Sequence, residues 1–220
     1  MAELRTEEEQ IEAIKGWWKE NGKSLVLSIL IVVSAVVGWK GWQQHQANQA
    51  SQASALYQNL VDAVVQTVGN QVEAGAMSTA EHLSGRLKDD FSKTSYAHFG
   101  ALLMARVAVD QGDLDRALQE LDWLLDGRAD GDILRVAKLR KGRVLAELGQ
   151  VDVAIALLQG ADTGAFEAGY QELLGDLYTA SGQVEQALTA YNRALEVSQA
   201  SQGQAILRMK RDDLGIEVGS

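Results

Sequence analysis

An uninterrupted apolar run near the start of the chain restricts its possible folds more than any other segment. Sixteen residues without a charge, SLVLSILIVVSAVVGW, lie between Lys23 and Lys40. An α-helix rises about 1.5 Å per residue, so this run covers about 24 Å of a hydrocarbon layer that is about 30 Å thick. Length alone therefore also allows a buried helix or the apolar region of a signal peptide.

The residues on both sides of this run favour a membrane-spanning helix. A cleaved signal peptide is disfavoured, since the preceding segment is rich in glutamate and the nearest small-x-small site, Ala53-Ser54-Ala55, lies far downstream. Tryptophan prefers the headgroup region of a membrane, and lysine extends its ammonium group outward. We predict a transmembrane helix over residues 24–42 that contacts the lipid bilayer, with six interface residues: Trp17, Trp18, Lys23, Trp39, Lys40 and Trp42.

Basic residues near the span predict its orientation. Lys15, Lys19 and Lys23 precede the span, whereas Lys40 alone follows it closely. Because basic residues remain on the cytoplasmic side, we expect a cytoplasmic N-terminus and a C-terminal domain on the opposite side of the membrane. Residues 1–23 are expected to contain a short amphipathic helix, starting at the capping box Thr6-Glu7-Glu8-Glu9, or to extend the anchor helix.

The composition of the remaining chain favours helices and disfavours nucleic acid. The sequence contains no proline, the residue that breaks helices most strongly. Its formal net charge is −10, and residues 40–220 contribute −8 of this, with 24 acidic and 16 basic side chains. Nucleic-acid binding needs a basic surface. We therefore predict an all-α protein that does not bind nucleic acid.

One short pattern occurs three times, at intervals of 37 and 33 residues. The three copies are GDLDRAL from Gly112, GQVDVAI from Gly149 and GQVEQAL from Gly182. In each copy the glycine can end one helix, the acidic residue fits the first turn of the next, and the alanine permits close helix packing. These corners predict stacked helix pairs, the architecture of an α-solenoid.

The third unit resembles a tetratricopeptide repeat over its whole length, through Leu174, Gly175, Tyr178, Ala187, Tyr191 and Ala194. The second unit keeps Gly142, Leu145, Ala154 and Leu158, and the first keeps Ala117 but has Ala105 and Ala108 where glycine and an aromatic residue are typical. We therefore predict three such repeats over residues 96–200. A divergent helical pair over residues 43–95 precedes them, and a capping helix and tail over 201–220 follow, with an apolar face of Ala205, Ile206, Met209 and Leu214.

Stacked pairs of this kind leave a groove that is lined mainly by the first helix of each pair. By analogy with tetratricopeptide positions, seven residues are expected to face it: Phe99, Leu102, Arg106, Leu139, Arg143, Glu172 and Asp176. This mixture of apolar and charged side chains suits peptide-like partners. Leu102 and Leu139 would also fit ordinary core positions.

The sequence lacks the arrangements that catalysis requires. His45, His82 and His98 are scattered, and acidic pairs such as Asp89-Asp90 are adjacent, so their side chains diverge on a helix. No glycine-rich phosphate loop or nucleophile elbow is present. We predict no enzyme activity, no metal, no cofactor and no small-molecule substrate.

Four blocks of the sequence together resemble the YfgM family of Gram-negative bacteria: EEEQIEAIKGWWKENGKS, GWKGWQQHQ, YAHFGALLMARVAVDQGDLDRAL and ILRMKRDDL. The resemblance implies an ancillary subunit of the SecYEG translocon, with one inner-membrane helix and a periplasmic tetratricopeptide-like domain. It also implies association with the membrane-anchored chaperone PpiD and contact with unfolded or emerging secretory proteins.

The expected function is therefore a non-enzymatic periplasmic adaptor or chaperone at the translocon. Two other functions fit the same architecture. One is a membrane-tethered regulator of an envelope stress response that acts through residues 1–23, and the other is a scaffold for envelope assembly.

Overall fold

A computed structural model describes residues 7–68, 75–127, 129–198 and 201–217. These residues form α-helices and one short 3-10 turn, and no strand occurs among them. The all-α class predicted from the sequence is therefore confirmed. The chain divides into two compact units, with the boundary between Ser51 and Gln52.

The first unit is formed by the beginning of helix α1, Glu7–Val68. No break separates residues 7–23 from the apolar run, so this segment extends the anchor helix and does not form a separate short helix. The absence of proline permits this continuity, because the glycines within it each cost only about 1 kcal/mol relative to alanine. The predicted cap at Thr6 lies outside the described residues.

The second unit contains the end of α1 and eight further α-helices within the described ranges. Helices α3 and α4, α5 and α6, and α7 and α8 form three successive pairs, and a 3-10 turn at Gly164–Phe166 precedes α7. The helices are α2 (Ala76–Asp90), α3 (Ser95–Asp110), α4 (Leu114–Asp126), α5 (Gly131–Glu147), α6 (Val151–Leu158), α7 (Glu167–Ala180), α8 (Val184–Val197) and α9 (Ser201–Glu217).

The three repeated sequence motifs form the turns within the three helix pairs. Gly112, Gly149 and Gly182 have φ angles of 79°, 73° and 73°, in the left-handed region that side chains with a Cβ rarely adopt. The acidic residue of each motif lies in the first turn of the following helix, as the sequence predicts: Asp115, Asp152 and Glu185.

The core of the second unit is a row of neighbouring apolar clusters. Leu60 and Leu87 are fully buried where α1, α2 and α3 meet. The next clusters join α3 to α4 and α5, then α5 to α6 and α7, and finally α8 to α9. Each helix pair therefore buries its apolar surface against its neighbours in sequence, which is how solenoid domains are stabilised.

Close packing within the third pair depends on one glycine. A Cβ atom at Gly175 would lie 2.5 Å from the ring of Tyr191, so the ring rests directly on the α7 backbone. At the corresponding place in the second pair, a Cβ at Gly142 would lie 2.9 Å from Leu158. In the first pair Ala105 occupies this position and is 2% exposed. The first repeat therefore buries a small methyl group where the other two repeats have glycine.

Helix α9 turns a different face toward the core than the sequence predicted. Leu207 and Leu214 are buried, whereas Ile206 and Met209 are 54% and 60% exposed. The expected apolar face that included Ile206 and Met209 was therefore wrong. The physical reason is that the stripe with both leucines packs against α8 and also carries Lys210, which forms ion pairs with α7.

Candidate protein-binding face

The seven predicted groove residues lie on α3, α5 and α7, the first helices of the three pairs. Helix α5 packs against both α3 and α7, so the three helices form a row in sequence order. The surroundings of the seven side chains change along this row. Those at the α3 end are mostly exposed, and those on α7 are engaged by the chain itself.

An aromatic patch, formed by Tyr57, Tyr96 and Phe99, lies at the α3 end of the row. The Tyr57 ring centroid is 6.0 Å from that of Tyr96 and 6.3 Å from that of Phe99, within the range of favourable aromatic pairs. Phe99 is 42% exposed. This patch therefore presents aromatic surface that the described part of the chain leaves uncovered.

The two predicted groove leucines are less available than their neighbours. Leu139 is 9% exposed and packs in the cluster that joins α5, α6 and α7. Leu102 is half-buried against the preceding cluster. Its carbonyl oxygen accepts a hydrogen bond of 2.9 Å from Nη1 of Arg140. The backbone of Leu102 thus holds the Arg140 guanidinium group in place.

Three guanidinium groups surround a cleft between α3 and α5 that we name the arginine cleft, after Arg106, Arg140 and Arg143. The cleft has a volume of about 680 Å³. Arg106 bonds to Asp110 at 3.2 Å on its own helix. Burial lowers the pKa of Arg140, and the neighbouring charges of Arg106 and Arg143 lower it further. The cleft therefore concentrates positive charge on a chain of net charge −10.

Glu172 and Asp176, the predicted groove residues on α7, form a closed end of the row together with Lys210 of α9. The Lys210 Nζ lies 2.9 Å from Glu172 and 2.8 Å from both Asp176 carboxylate oxygens. Tyr191 donates a hydrogen bond of 2.7 Å to the same Asp176 carboxylate. These two acidic side chains are thus already bound by the chain itself.

The electrostatics of the closed end follow from this geometry. Burial lowers the pKa of Lys210, but hydrogen bonds and ion pairs with Asp176 and Glu172 outweigh that effect, so the net shift is upward. Burial raises the pKa of Tyr191 to about 12, and its hydrogen bond to Asp176 acts in the same direction. Lys210 therefore stays charged and Tyr191 stays neutral at physiological pH.

The predicted membrane-interface residues lie in the first unit, on α1. The apolar run is almost entirely exposed in the structure, and α1 is the one helix in the described ranges that is long and apolar enough to cross a membrane. The rings of Trp39 and Trp42 are 5.3 Å apart. Trp18 covers Gly22, where a Cβ atom would lie 3.1 Å from its ring. Both lysines at the ends of the run, Lys23 and Lys40, are exposed.

The chain is similar in sequence to a known domain family and to several known proteins. A model of the tetratricopeptide repeat-like domain matches residues 15–216. A protein of Haemophilus influenzae named "Ancillary SecYEG translocon subunit" is 32% identical over 97% of this chain and 100% of its own length. The proteins of that name in Escherichia coli and Neisseria gonorrhoeae are 29% and 30% identical, over 96% and 97% of this chain. They are covered over 97% and 100% of their own lengths.

The chain belongs to the family of ancillary SecYEG translocon subunits. The resemblance seen in the sequence is therefore confirmed. Ancillary subunits with a repeat domain are a non-catalytic kind of family, and within the described residues no group of histidine, aspartate and glutamate side chains could hold a metal ion. No solved structure matches the chain.

In this member of the family, three residues have roles at the site that the sequence patterns did not predict: Arg140, Lys210 and Tyr191. Arg140 lines the arginine cleft, and a signal for it was present, because the run Leu139–Arg143 holds three basic residues. Lys141, the third of these, pairs with Asp122 of α4 instead. Tyr191 was expected only as a repeat residue and Lys210 was not expected at all, since their partner Asp176 on α7 lies 15 and 34 residues away in the sequence.

Proposed function

We propose that this chain is a non-enzymatic adaptor of the SecYEG translocon, anchored in the inner membrane by residues 24–42. The observation that carries the proposal is the match, along nearly the whole chain, to relatives named as ancillary subunits of that translocon. Because the match includes both the apolar helix and the repeats, the chain has the two parts that a membrane-bound adaptor requires.

The proposed topology has residues 1–23 in the cytoplasm and the repeat domain in the periplasm. Lys15, Lys19 and Lys23 before the span support it, because basic residues are retained on the cytoplasmic side. Exposed apolar side chains along residues 24–39 support a location in lipid, where they would not contact water. The tryptophans at both ends fit the headgroup regions.

The proposed partners are SecYEG, a PpiD-like membrane-anchored chaperone, and unfolded secretory proteins that emerge from the translocon. The aromatic patch supports protein binding, because exposed aromatic side chains are enriched at protein interfaces. Anchoring supports it too, since confinement to the membrane raises the effective concentration of one partner near another. Weak and reversible contacts then suffice.

Co-purification tests the translocon association. The full-length chain with an affinity tag after Ser220 is extracted from inner membranes in a mild detergent, purified and probed for SecY. We expect SecY to co-purify at a level well above that of an unrelated single-span protein with the same tag. Absence of SecY at equal recovery of the tagged chain would contradict the proposal.

Cysteine labelling tests the topology, because the chain contains no cysteine of its own. Ser92 is exposed between α2 and α3, and Glu12 is exposed near the start of α1. We expect a membrane-impermeant maleimide to label Ser92→Cys in intact spheroplasts and Glu12→Cys only after lysis. The reverse pattern would place the repeat domain in the cytoplasm and refute the proposed function.

The two other functions predict different outcomes. A regulator that acts through residues 1–23 would lose its function on deletion of residues 2–12, whereas the adaptor should keep its translocon association. A fixed scaffold would be recovered at a constant ratio to its partners, whereas an adaptor for emerging proteins should give varied, transient crosslinks.

A further inference from the structure

The arginine cleft combines exposed positive charge with an apolar floor. Val109 is 42% exposed beside it, Leu114 is half-buried, and Val144 forms buried apolar surface at its base. Its volume of about 680 Å³ lies within the range of about 300–1,000 Å³ that is typical of ligand clefts. The cleft is therefore large enough to hold several side chains of a partner.

The charges in the cleft are incompletely neutralised by the chain. Arg143 is exposed and has no ion pair or hydrogen bond within the part of the chain that the structure describes. Arg140 bonds to a backbone carbonyl and to no carboxylate there. Holding like charges together and partly buried is unfavourable unless an anion compensates them. The arrangement is thus best suited to a ligand that brings negative charge.

One acidic side chain, Glu147, also lines the cleft. It follows Arg143 by four residues on α5, yet the structure records no ion pair between them. Asp110 already pairs with Arg106 on α3. These two carboxylates offset part of the positive charge, but Arg140 and Arg143 keep no acidic partner among the described residues.

We propose that the arginine cleft binds an acidic segment of a partner protein, with a carboxylate against Arg140 and Arg143 and an apolar side chain over Val109 and Leu114. Arginine guanidinium groups suit this task, because their planar donors match the oxygens of a carboxylate. The proposal deepens the proposed function by giving the partner's chemistry at this site.

A pair of labelled synthetic peptides tests the proposal on the full chain in nanodiscs of neutral lipid. One peptide alternates glutamate and leucine over eight residues, and the other replaces every glutamate by glutamine. Fluorescence anisotropy at low ionic strength should show about tenfold tighter binding of the glutamate peptide, and this preference should shrink as salt is added. Equal affinity for the two peptides would overturn the proposal.

Matched arginine variants locate the binding site. Arg143→Glu should weaken binding of the glutamate peptide at least about fivefold, whereas Arg143→Lys should retain most of it. Arg208→Glu makes the same charge change at an exposed position of α9 and should stay within about twofold of the natural chain. Equal losses in Arg143→Glu and Arg208→Glu would overturn the assignment to this cleft.

Anionic lipid is the other source of negative charge near this domain. Vesicles that contain phosphatidylglycerol are therefore added to the full chain in neutral nanodiscs. Vesicle binding that depends on Arg143, without glutamate-peptide binding, would refute the peptide assignment. If SecY co-purifies but the peptide does not bind, the proposed function survives and this inference fails. If the peptide binds but SecY does not co-purify, this inference survives and the proposed function fails.

Discussion

The two ends of the row formed by α3, α5 and α7 carry charge in opposite ways. At the closed end on α7, Glu172 and Asp176 are both bound by Lys210. In the arginine cleft between α3 and α5, Arg143 has no acidic partner within the described residues, and Arg140 bonds to a backbone oxygen. Side chains at equivalent repeat positions therefore bind the capping helix α9 at one end, and at the other end they are free to contact a partner.

This difference follows from the position of each repeat in the stack. The last repeat has no further repeat to cover it, so α9 supplies a cap through Leu207, Leu214 and Lys210. The α3 and α5 helices are already covered by their neighbours on the core side, and their outer side chains need no further contact to complete the fold. We infer that the closed end serves stability and the α3 end serves binding.

Crowding the closed end should give the largest change in stability. Gly175→Val would push a side chain into the Tyr191 ring, because a Cβ at that position would already lie 2.5 Å from it. We expect unfolding to become about 3 kcal/mol easier, which corresponds to a fall in Tm of roughly 6–12 °C. Thermal unfolding followed by circular dichroism measures this change.

Gly85→Ala is the matched control for that substitution. A Cβ at Gly85 on α2 would have no atom of the described residues within 4 Å, so this change should stabilise the helix by up to about 1 kcal/mol. If Gly175→Val melts no lower than Gly85→Ala, the close contact at Tyr191 does not exist in solution.

Alkaline pH should cause the second-largest loss of stability, through ionisation of Tyr191 at the closed end. The pKa of Tyr191 is raised to about 12 by burial and by its bond to Asp176, whereas an unfolded tyrosine ionises near pH 10. Stability from the neutral phenol is therefore fully present below about pH 10 and is lost as the pH rises toward about 12. Chemical denaturation at a series of pH values should show that the free energy of unfolding falls less steeply above about pH 10 in Tyr191→Phe than in the natural chain. An identical fall in both proteins would contradict the raised pKa of Tyr191.

Removal of the lysine from the closed end should have a smaller effect. Because Lys210, Glu172 and Asp176 are 30%, 35% and 40% exposed, solvent screening limits the cost of Lys210→Met to about 1 kcal/mol. Hydrogen exchange should quicken in α9 and remain slow in α3. Lys93→Met, at an exposed lysine, is the control. A double-mutant cycle with Asp176→Asn that shows no coupling would disprove the ion pair in solution.

The arginine cleft should be the least sensitive of these sites in a stability measurement. Arg143→Met removes an exposed side chain without a partner in the described structure, so unfolding should change by less than about 0.5 kcal/mol. Chemical denaturation provides the test. A loss above about 1 kcal/mol would show that Arg143 supports the fold, and the contrast between the two ends would disappear.

Local patterns in the sequence were enough to predict the corners of the repeats. Gly112, Gly149 and Gly182 adopt the left-handed conformation expected of them, because a turn after a helix depends on only a few consecutive residues. The pattern also predicted the apolar helix that contains residues 24–39.

Local sequence patterns could not predict contacts between segments that are far apart in the chain. The buried face of α9 was misjudged, because Leu207 and Leu214 pack against α8 and Lys210 pairs with α7, 34 and 38 residues away, and no local pattern shows these contacts. Arg140 was overlooked for a similar reason. The basic run on α5 does not show which of its members pair with α4 and which face α3.

Site-specific photocrosslinking tests directly whether the α3 end of the row contacts the translocon or its chaperone. A photoreactive amino acid replaces Phe99 or Arg143 at the α3 end, or exposed Ile206 on α9, in the full-length chain in living cells. We expect crosslinks to the translocon or its associated chaperone from Phe99 and Arg143, and far fewer from Ile206. Crosslinks that arise mainly from Ile206, with none from the other two positions, would contradict it.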